Sequence, residues 1–241
     1  MIEKIRFAVK SLIPSSFKYF LMRKLADAVN WFAKFLQGID YVWEQDREFI
    51  SVYSNASKEM LIDKKKSYTL FNLVKNIGHL DGSLAELGVF RGASSLIAIE
   101  ANNRSKPIYL FDTFEGLPKT HDENDPYWKE NDMSETSLEA VQNFMNYSSA
   151  KYFKGYFPES AKEISTEEKF CFVHIDVDIY QSMLDGCAFF YDKVVPGGII
   201  LFDDYGDLSC PGARKAVDQF FNDMPEKPIA TGAGQAFVIK R

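Results

Sequence analysis

Four aspartates at the ends of two apolar segments form the group in this sequence that could do the most chemistry. Asp176 and Asp178 follow one apolar run of the chain, and Asp203 and Asp204 follow the next one. Asp176 and Asp178 are two positions apart, so their side chains point the same way in extended chain. Converging carboxylates repel one another unless a cation lies among them, and oxygen ligands select Mg²⁺, Mn²⁺ or Ca²⁺ over zinc. The pattern predicts a divalent metal site, and the alternative is a set of solvated acids and helix caps.

A glycine-containing segment, Glu86-Leu-Gly88-Val-Phe-Arg-Gly92, lies at a strand-to-helix junction and suggests a cofactor site. Glycines at such a junction allow a sharp turn and the close approach of a ligand to the backbone, and the following helix N-terminus favours a carboxylate. Asp112 ends the next apolar run, 24 residues after Gly88, where a carboxylate can accept both ribose hydroxyls of an adenosine. The candidate cofactor contacts here are Glu86, Gly88, Gly92, Ser94, Asp112 and Thr113.

The spacing of these glycines distinguishes two classes of cofactor. Dinucleotide-binding folds usually carry GxGxxG, with the glycines against a pyrophosphate. Here the pattern is ExGxxxG, and the bulky Phe90 and Arg91 stand inside the turn. This arrangement suits a cofactor without phosphates, such as S-adenosylmethionine, and the alternative is an ordinary strand-to-helix turn.

The elements that must position these residues alternate between strands and helices. Buried strands are predicted at Ser83–Leu87, Pro107–Phe111, Phe170–Ile175 and Gly198–Phe202, and helices at Ala93–Ala101, Tyr180–Val194 and Gly212–Phe221. This alternation predicts an α/β fold with a doubly wound parallel sheet. The segments Pro228–Ala230 and Gln235–Ile239, separated by glycines, predict a closing hairpin at the edge.

Residues 113–135 interrupt this rhythm with a long acidic segment. It contains seven acids against two lysines, together with prolines and aromatic residues that disfavour plain disorder. Long loops in compact domains are usually disordered or functional. We expect an acidic lid over the site, and its His121 is a second candidate for a catalytic base after Asp178.

The first 40 residues form a basic segment with seven Lys and Arg against three acids. Phe17, Leu21, Leu25, Val29, Phe32 and Leu36 recur there every three or four residues, which is typical of an amphipathic helix. We expect this stripe to pack on the main domain or on a second subunit of a homodimer, and the alternative is peripheral contact with a membrane surface. The predicted organisation is a helical extension over 1–60 and one catalytic domain over 61–241.

Composition excludes several other classes of function. The net charge of −6 argues against non-specific nucleic-acid binding. The longest apolar runs fall short of the roughly 18 residues that a membrane-spanning helix needs. The three cysteines have no metal-binding spacing and predict reduced thiols in a cytoplasmic protein.

These segments together resemble the macrocin O-methyltransferases, which methylate sugar hydroxyls on antibiotics and related glycosylated products. The resemblance covers about residues 83–221. The matching blocks are Ala85–Gly92, Leu110–Pro118, Gly155–Ser160, Val173–Tyr180 and Val195–Tyr205, continued by Pro211–Phe221.

The resemblance implies a Rossmann-like class I methyltransferase fold, with a seven-stranded sheet whose last strand is antiparallel. It implies S-adenosylmethionine as cofactor, a small-molecule or glycan substrate and a base at Asp178. A magnesium ion would be held by Asp176, Asp203 and Asp204. Contacts to the cofactor would come from Glu86, Gly88, Asp112 and Asp176, with Gly155 and Tyr156 near the adenine.

Three alternative functions remain open at the level of sequence. A methyltransferase for catechol-like phenols uses a similar acidic metal site. A nicotinamide-dependent sugar oxidoreductase also begins with a glycine turn, but GxGxxG is missing here and neither Tyr180 nor Tyr191 is followed by Lys at the fourth position. A non-catalytic glycan-binding domain would not need the glycines, Asp112 and all four acids together.

Overall fold

The chain forms two compact units, residues 1–47 and 48–241. The computed structural model describes Leu25, Ala28, Val29, Phe32 and residues 41–59, 63–120 and 123–241. In the first unit Leu25, Val29 and Phe32 are helical and their side chains are exposed. The rest of the predicted apolar stripe lies outside the described residues. Over the described part of the chain, none of the helices combines the length and apolarity that crossing a membrane requires.

The second unit is built on one seven-stranded sheet. Its strands are β1 (Ser83–Leu87), β2 (Ile108–Asp112), β3 (Ala150–Lys154), β4 (Phe170–Ile175), β5 (Val194–Phe202), β6 (Ile229–Ala230) and β7 (Ala236–Ile239). The order across the sheet is β3-β2-β1-β4-β5-β7-β6, and β7 runs antiparallel to both of its neighbours. This confirms the predicted Rossmann-like fold with an antiparallel last strand.

Helices flank the sheet and cover the apolar strands. They are α1 (Arg47–Ala56), α2 (Lys64–Ile77), α3 (Ala93–Ala101), α4 (Leu138–Met145), α5 (Tyr180–Phe190) and α6 (Pro211–Phe220). Helix α2 packs on α3, and α5 packs on α6. Every residue of β1 and β4 is buried, because central parallel strands are covered on both faces. The long helix predicted at Tyr180–Val194 ends as α-helix at Phe190, and a single 3-10 turn then leads into β5.

The register of the parallel strands brings four chain segments to one edge of the sheet. Leu87 at the end of β1 lies beside Phe111 of β2 and Ile175 of β4, and Ile175 lies beside Phe202 of β5. The residues that follow these strand ends therefore meet at the carboxyl edge, where open α/β sheets bind their ligands.

Helix α2 also reaches this edge with its first turn. Asp63 caps the helix, because its side chain accepts the backbone N–H of Lys66 at 2.8 Å. Phe71 is fully buried and meets the ring of Phe49 on α1 with a centroid distance of 5.5 Å. Capping and packing together fix the direction in which the Lys66 side chain leaves the helix.

Candidate functional site

The acids predicted from the sequence meet at the carboxyl edge in two adjoining groups. Potential ligand atoms of His174, Asp176 and Asp203 all lie within 4.8 Å of one another. Asp178, Asp204 and Cys210 form a second group with the same spacing. Asp203 and Asp204 are consecutive in the chain and link the two groups. The structure thus brings together all four aspartates, with Asp204 grouped with Asp178 rather than with Asp176.

Asp203 is the most fully bonded of the four aspartates. Its Oδ1 accepts Nε2–H of Gln235 at 2.6 Å and lies 3.4 Å from Nε2 of His174. Its Oδ2 accepts the ammonium of Lys66 at 2.6 Å, and the same ammonium is 3.6 Å from Oδ1 of Asp204. Burial opposes ionisation of Asp203, but Lys66 and His174 outweigh it and lower the pKa of this carboxyl well below its usual range. Asp203 therefore stays ionised as a carboxylate.

The other three aspartates experience the opposite electrostatic effect. Burial, and then the charges of Asp203 and Asp204, raise the pKa of Asp176 well above its ordinary value. Burial and repulsion from Asp203 raise the pKa of Asp204 to about 6. Burial and the charge of Asp204 raise the pKa of Asp178. A nearby positive charge would stabilise the ionised form of each of these carboxyl groups. This electrostatic condition favours a bound cation.

Asp178 has an unusual backbone geometry within this cluster. Its φ is 60°, a left-handed conformation that is uncommon for a residue other than glycine. Its backbone N–H donates to Oδ2 of Asp204 at 3.2 Å, and its Oδ1 accepts the thiol of Cys210 at 3.4 Å. Backbone outliers of this kind concentrate at functional sites.

The alternative role of Asp178 as a helix cap is wrong. The N-cap residue of α5 is Ile179, which makes no side-chain capping hydrogen bond, and the side chain of Asp178 instead accepts the thiol of Cys210. The backbone N–H of Tyr180, the first residue of α5, instead donates to Oδ1 of Asp125 at 2.8 Å. Asp125 belongs to the acidic segment 113–135 and is buried, so this segment provides the cap.

The glycine turn is shaped by contacts within the chain. Gly88 has φ 89°, and a Cβ there would lie 1.8 Å from the backbone carbonyl oxygen of Asp176. The absence of a side chain at Gly88 is thus already required by packing of β1 against the segment after β4. Gly92 has φ 82° and begins α3, where a Cβ would press on Val141 and Met145 of α4.

Asp112 ties this turn to the end of β2. Its Oδ2 accepts the backbone N–H groups of Val89 and Phe90 at 2.7 and 2.8 Å, and its Oδ1 accepts that of Phe114 at 2.6 Å. A carboxylate offers about four acceptor sites, so about one remains for a ligand. The neighbouring Thr113 donates its hydroxyl to the carbonyl oxygen of Gly116 at 2.6 Å.

A buried polar chain connects the glycine turn with the acids. Glu86 accepts the hydroxyl of Ser95 at one oxygen, and its other oxygen lies 2.7 Å from Nδ1 of His174. Burial disfavours the charged imidazole, but Asp203 and Glu86 outweigh it and raise the pKa of His174. The neighbouring Ser94 is buried in the first turn of α3. Glu86 therefore links the two halves of the site through His174.

Gly155 lies beside Asp112 and presents bare backbone. Its N–H donates to the carbonyl oxygen of Asp112 at 3.0 Å. Its φ is 134°, and a Cβ there would meet only Ser160, at an ordinary distance of 3.6 Å. The hydroxyl of Ser160 is buried and has no hydrogen-bond partner among the described residues. Tyr156 is 56% exposed. The open backbone and the unsatisfied hydroxyl leave room and polarity for a ligand.

Hydrogen bonds connect the acidic segment 113–135 to other parts of the domain at several described positions. Nε1–H of Trp128 donates to the carbonyl oxygen of Ser209 at 3.0 Å, and Asp125 caps α5 as described above. At the far end, Nε of Arg91 donates to the carbonyl oxygen of Glu135 at 2.9 Å. His121 lies outside the described residues.

Three residues from other parts of the chain surround the acids and could not be identified from the sequence. Lys66 stands in a run of three lysines, Gln235 lies in the closing hairpin, and Cys210 precedes α6. None of these positions belongs to a recognisable spacing pattern. The only signal was the polar Gln235 at the start of an apolar segment, a place where a buried amide needs a partner.

Comparison with known proteins identifies a family for most of the chain. The model of the Macrocin-O-methyltransferase family matches residues 56–230. A demethyldecarbamoylnovobiocin O-methyltransferase of Streptomyces niveus is 25% identical over 182 residues, which cover 68% of this chain and 68% of that protein.

A second relative and one solved structure extend the comparison. The 8-demethyl-8-(2,3-dimethoxy-alpha-L-rhamnosyl)-tetracenomycin-C 4'-O-methyltransferase of Streptomyces olivaceus is 27% identical over 154 residues, which cover 58% of each protein. The structure of the O-methyltransferase NovP superposes with a TM-score of 0.66 at 23% identity, and covers 76% of this chain and 82% of that chain. This structural likeness concerns the fold.

Proposed function

The chain belongs to the macrocin O-methyltransferase family. We propose that it transfers the methyl group of S-adenosylmethionine to a hydroxyl of a sugar or glycosylated product, and that a divalent metal assists the transfer. The proposal is supported mainly by one observation: two groups of residues, which would form a cofactor site and a metal site, meet at one edge of the sheet. The glycine turn with Asp112 forms one half, and the four aspartates after β4 and β5 form the other. A methyl donor and an acceptor hydroxyl need such adjacent sites.

The residues at the glycine turn fit an adenosylmethionine cofactor. Gly155 offers open backbone beside Asp112, and the unsatisfied hydroxyl of Ser160 lies next to it. The N-terminus of α3 after Gly92 favours a carboxylate. When bound, the cofactor supplies an electrophilic methyl group on a sulfonium. The role of the chain is to hold that methyl in line with the attacking oxygen, and such alignment is a large part of the rate enhancement in group transfer.

The residues at the acidic half fit a hard divalent cation. Asp176, Asp203 and Asp204 supply carboxylate oxygens, the donor type that Mg²⁺ prefers. The side-chain oxygen of Gln235, next to Asp203, is buried and has no hydrogen-bond partner among the described residues, so a further oxygen stands nearby. When bound, the ion supplies charge that lowers the pKa of an acceptor hydroxyl.

Asp178 is the proposed base for the acceptor hydroxyl. An alkyl hydroxyl holds its proton far above neutral pH, so a positioned acceptor for that proton should accelerate transfer. The left-handed backbone of Asp178 and its contacts with Cys210 and Asp204 hold the carboxylate inside the acidic group. Burial raises the pKa of Asp178, which brings it closer to the pKa of the hydroxyl whose proton it would accept.

The proposed substrate class can be tested with purified protein, S-adenosylmethionine and Mg²⁺. A rhamnosyl glycoside, the same glycoside with its hydroxyls already methylated, and a catechol serve as three acceptors. We expect a gain of one methyl group by mass spectrometry with the free glycoside, and none with the blocked one. A methyl gain with the catechol alone would refute the sugar specificity. The choice of a rhamnosyl acceptor is supported by the name of the relative from Streptomyces olivaceus.

Cofactor affinity should depend on Asp112. Asp112→Ala removes three charge-assisted bonds that hold the turn, each worth roughly 1.5–3 kcal/mol at most. We expect at least about a tenfold loss of affinity for adenosylhomocysteine by calorimetry, with a lower melting temperature. Asp81→Ala, at an exposed position before β1, is the matched control. Equal affinities in both variants would remove Asp112 from the cofactor site. Gly88→Val is unsuitable, since the added side chain would collide with the Asp176 backbone.

A further inference from the structure

Lys66 places a cation of the chain itself in the acidic centre. Its ammonium lies 2.6 Å from Oδ2 of Asp203 and 3.6 Å from Oδ1 of Asp204. The Lys66 side chain is 15% exposed, whereas that of Asp203 is 1% exposed. The backbone of Lys66 is fixed by the Asp63 cap, so this contact is built into the start of α2.

Lys66 binds Oδ2 of Asp203, which is the oxygen that Gln235 and His174 do not contact. The other oxygen, Oδ1, accepts the Gln235 amide at 2.6 Å and lies 3.4 Å from the His174 ring. Those two donors approach the carboxylate at a different oxygen from Lys66. A metal ion that uses Oδ2 of Asp203 together with Oδ1 of Asp204 would bind at the two oxygens that lie next to the ammonium.

Distance makes simultaneous occupancy of that pair unfavourable. Mg²⁺ binds carboxylate oxygens at about 2.0–2.1 Å. An ion that close to Oδ2 of Asp203 would lie within about 5 Å of the Lys66 nitrogen, since the nitrogen is 2.6 Å from the same oxygen. A divalent ion and an ammonium so close together in a largely buried site repel each other strongly. The long, flexible stem of a lysine allows the ammonium to leave toward solvent.

We propose that Lys66 is an internal counter-ion, which offsets part of the negative charge of Asp203 and Asp204 in the metal-free protein and is displaced from them when a divalent ion binds. The inference rests on the proposed metal dependence. The positive charge of Lys66 reduces the repulsion among the four neighbouring aspartates and so stabilises the folded protein before the metal binds. It also sets the metal affinity, because every binding event must break the bond between Lys66 and Asp203. Lys66 is in this sense a positioning residue of the metal site.

The first test is a Mn²⁺ titration of chelator-treated, cofactor-free protein, followed by electron paramagnetic resonance. Lys66→Met removes the competing charge and should bind Mn²⁺ more tightly than wild type by about tenfold or more. Lys66→Arg retains a cation and should not gain affinity. Lys64→Met is the matched control, since the Lys64 ammonium lies 5.4 Å from the centre of the Tyr53 ring. In chelator, Lys66→Met should also melt below wild type, and Mn²⁺ should raise its melting temperature more than that of wild type.

A second test uses the unmodified chain and does not depend on the folding of a variant. Amine acetylation of wild type, read by peptide mass spectrometry, should be faster at Lys66 with Mn²⁺ than in chelator, because the displaced ammonium becomes reactive. The rate at Lys64 provides the internal reference. Unchanged or weaker Mn²⁺ affinity in Lys66→Met, or labelling of Lys66 that Mn²⁺ leaves unchanged or slows, would overturn the counter-ion role while the metal site stands. Failure of every variant and of wild type to bind Mn²⁺ would overturn the metal dependence and this inference together.

Discussion

Asp178→Asn is expected to lose turnover by a factor on the order of 10² to 10⁴ while the protein stays folded. Asparagine has nearly the same shape as aspartate but cannot accept the proton of the acceptor hydroxyl. It also tolerates the left-handed backbone that Asp178 adopts, with φ 60°. The helix after it keeps its cap, since that cap comes from Asp125. The loss should therefore appear in the rate of the chemical step.

Binding measurements separate this loss from damage to the site. Affinities for adenosylhomocysteine and Mn²⁺ should stay within a few-fold of wild type, because neither ligand is assigned to Asp178. Removing one buried negative charge should raise the melting temperature of the metal-free variant, because the pKa of Asp178 is raised by burial and by Asp204. Asp185→Asn is the matched control, because Asp185 is a partly buried aspartate of α5 that pairs with Gln181 on the same helix. Near wild-type turnover of Asp178→Asn would exclude it as the base, and His121 would be tested next.

The sequence predicted the central part of the fold because burial leaves a strong local pattern. Strand β1 was expected at Ser83–Leu87 and is found there, since every one of its residues is buried and apolar neighbours flank Glu86. Strand β3 was not predicted. It lies at the edge of the sheet, its residues are exposed or only partly buried, and it contains Lys151 and Lys154, so its pattern is weak.

The site was predictable only where strand ends define it. Parallel strands bring their carboxyl ends to one edge, so the meeting of Asp176 with Asp203 followed from the order of the elements. Lys66 could not be predicted, because its contact with Asp203 spans 137 positions and two identical lysines precede it. Gly88 was expected to make room for a ligand, but its close contact is with the Asp176 backbone. Such packing depends on tertiary geometry that a local motif does not contain.

Removal of divalent metal is expected to abolish turnover, and Mg²⁺ or Mn²⁺ should restore it. Several kcal/mol of charge stabilisation at the transition state correspond to a loss of about 10² to 10⁴ in rate. The acids themselves give the reason. Burial and mutual repulsion raise the pKa of Asp176, and that of Asp204 to about 6, so these groups lack a sufficient counter-charge even with Lys66 present. Full activity after exhaustive chelation would refute metal dependence.

Asp176→Asn is the variant that tests which residues hold the metal. Asp203→Asn would be ambiguous, because Asp203 also binds Lys66, Gln235 and His174, and its loss would leave two buried cationic groups poorly paired. Asp176 has a raised pKa, so neutralising it should stabilise the metal-free fold while weakening Mn²⁺ binding by about tenfold to a hundredfold. Calorimetric titration gives the affinity, and a melting curve in chelator gives the stability. Unchanged Mn²⁺ affinity together with the higher melting temperature would move the metal away from Asp176. It would then lie with the second group, which contains Asp178 and Asp204.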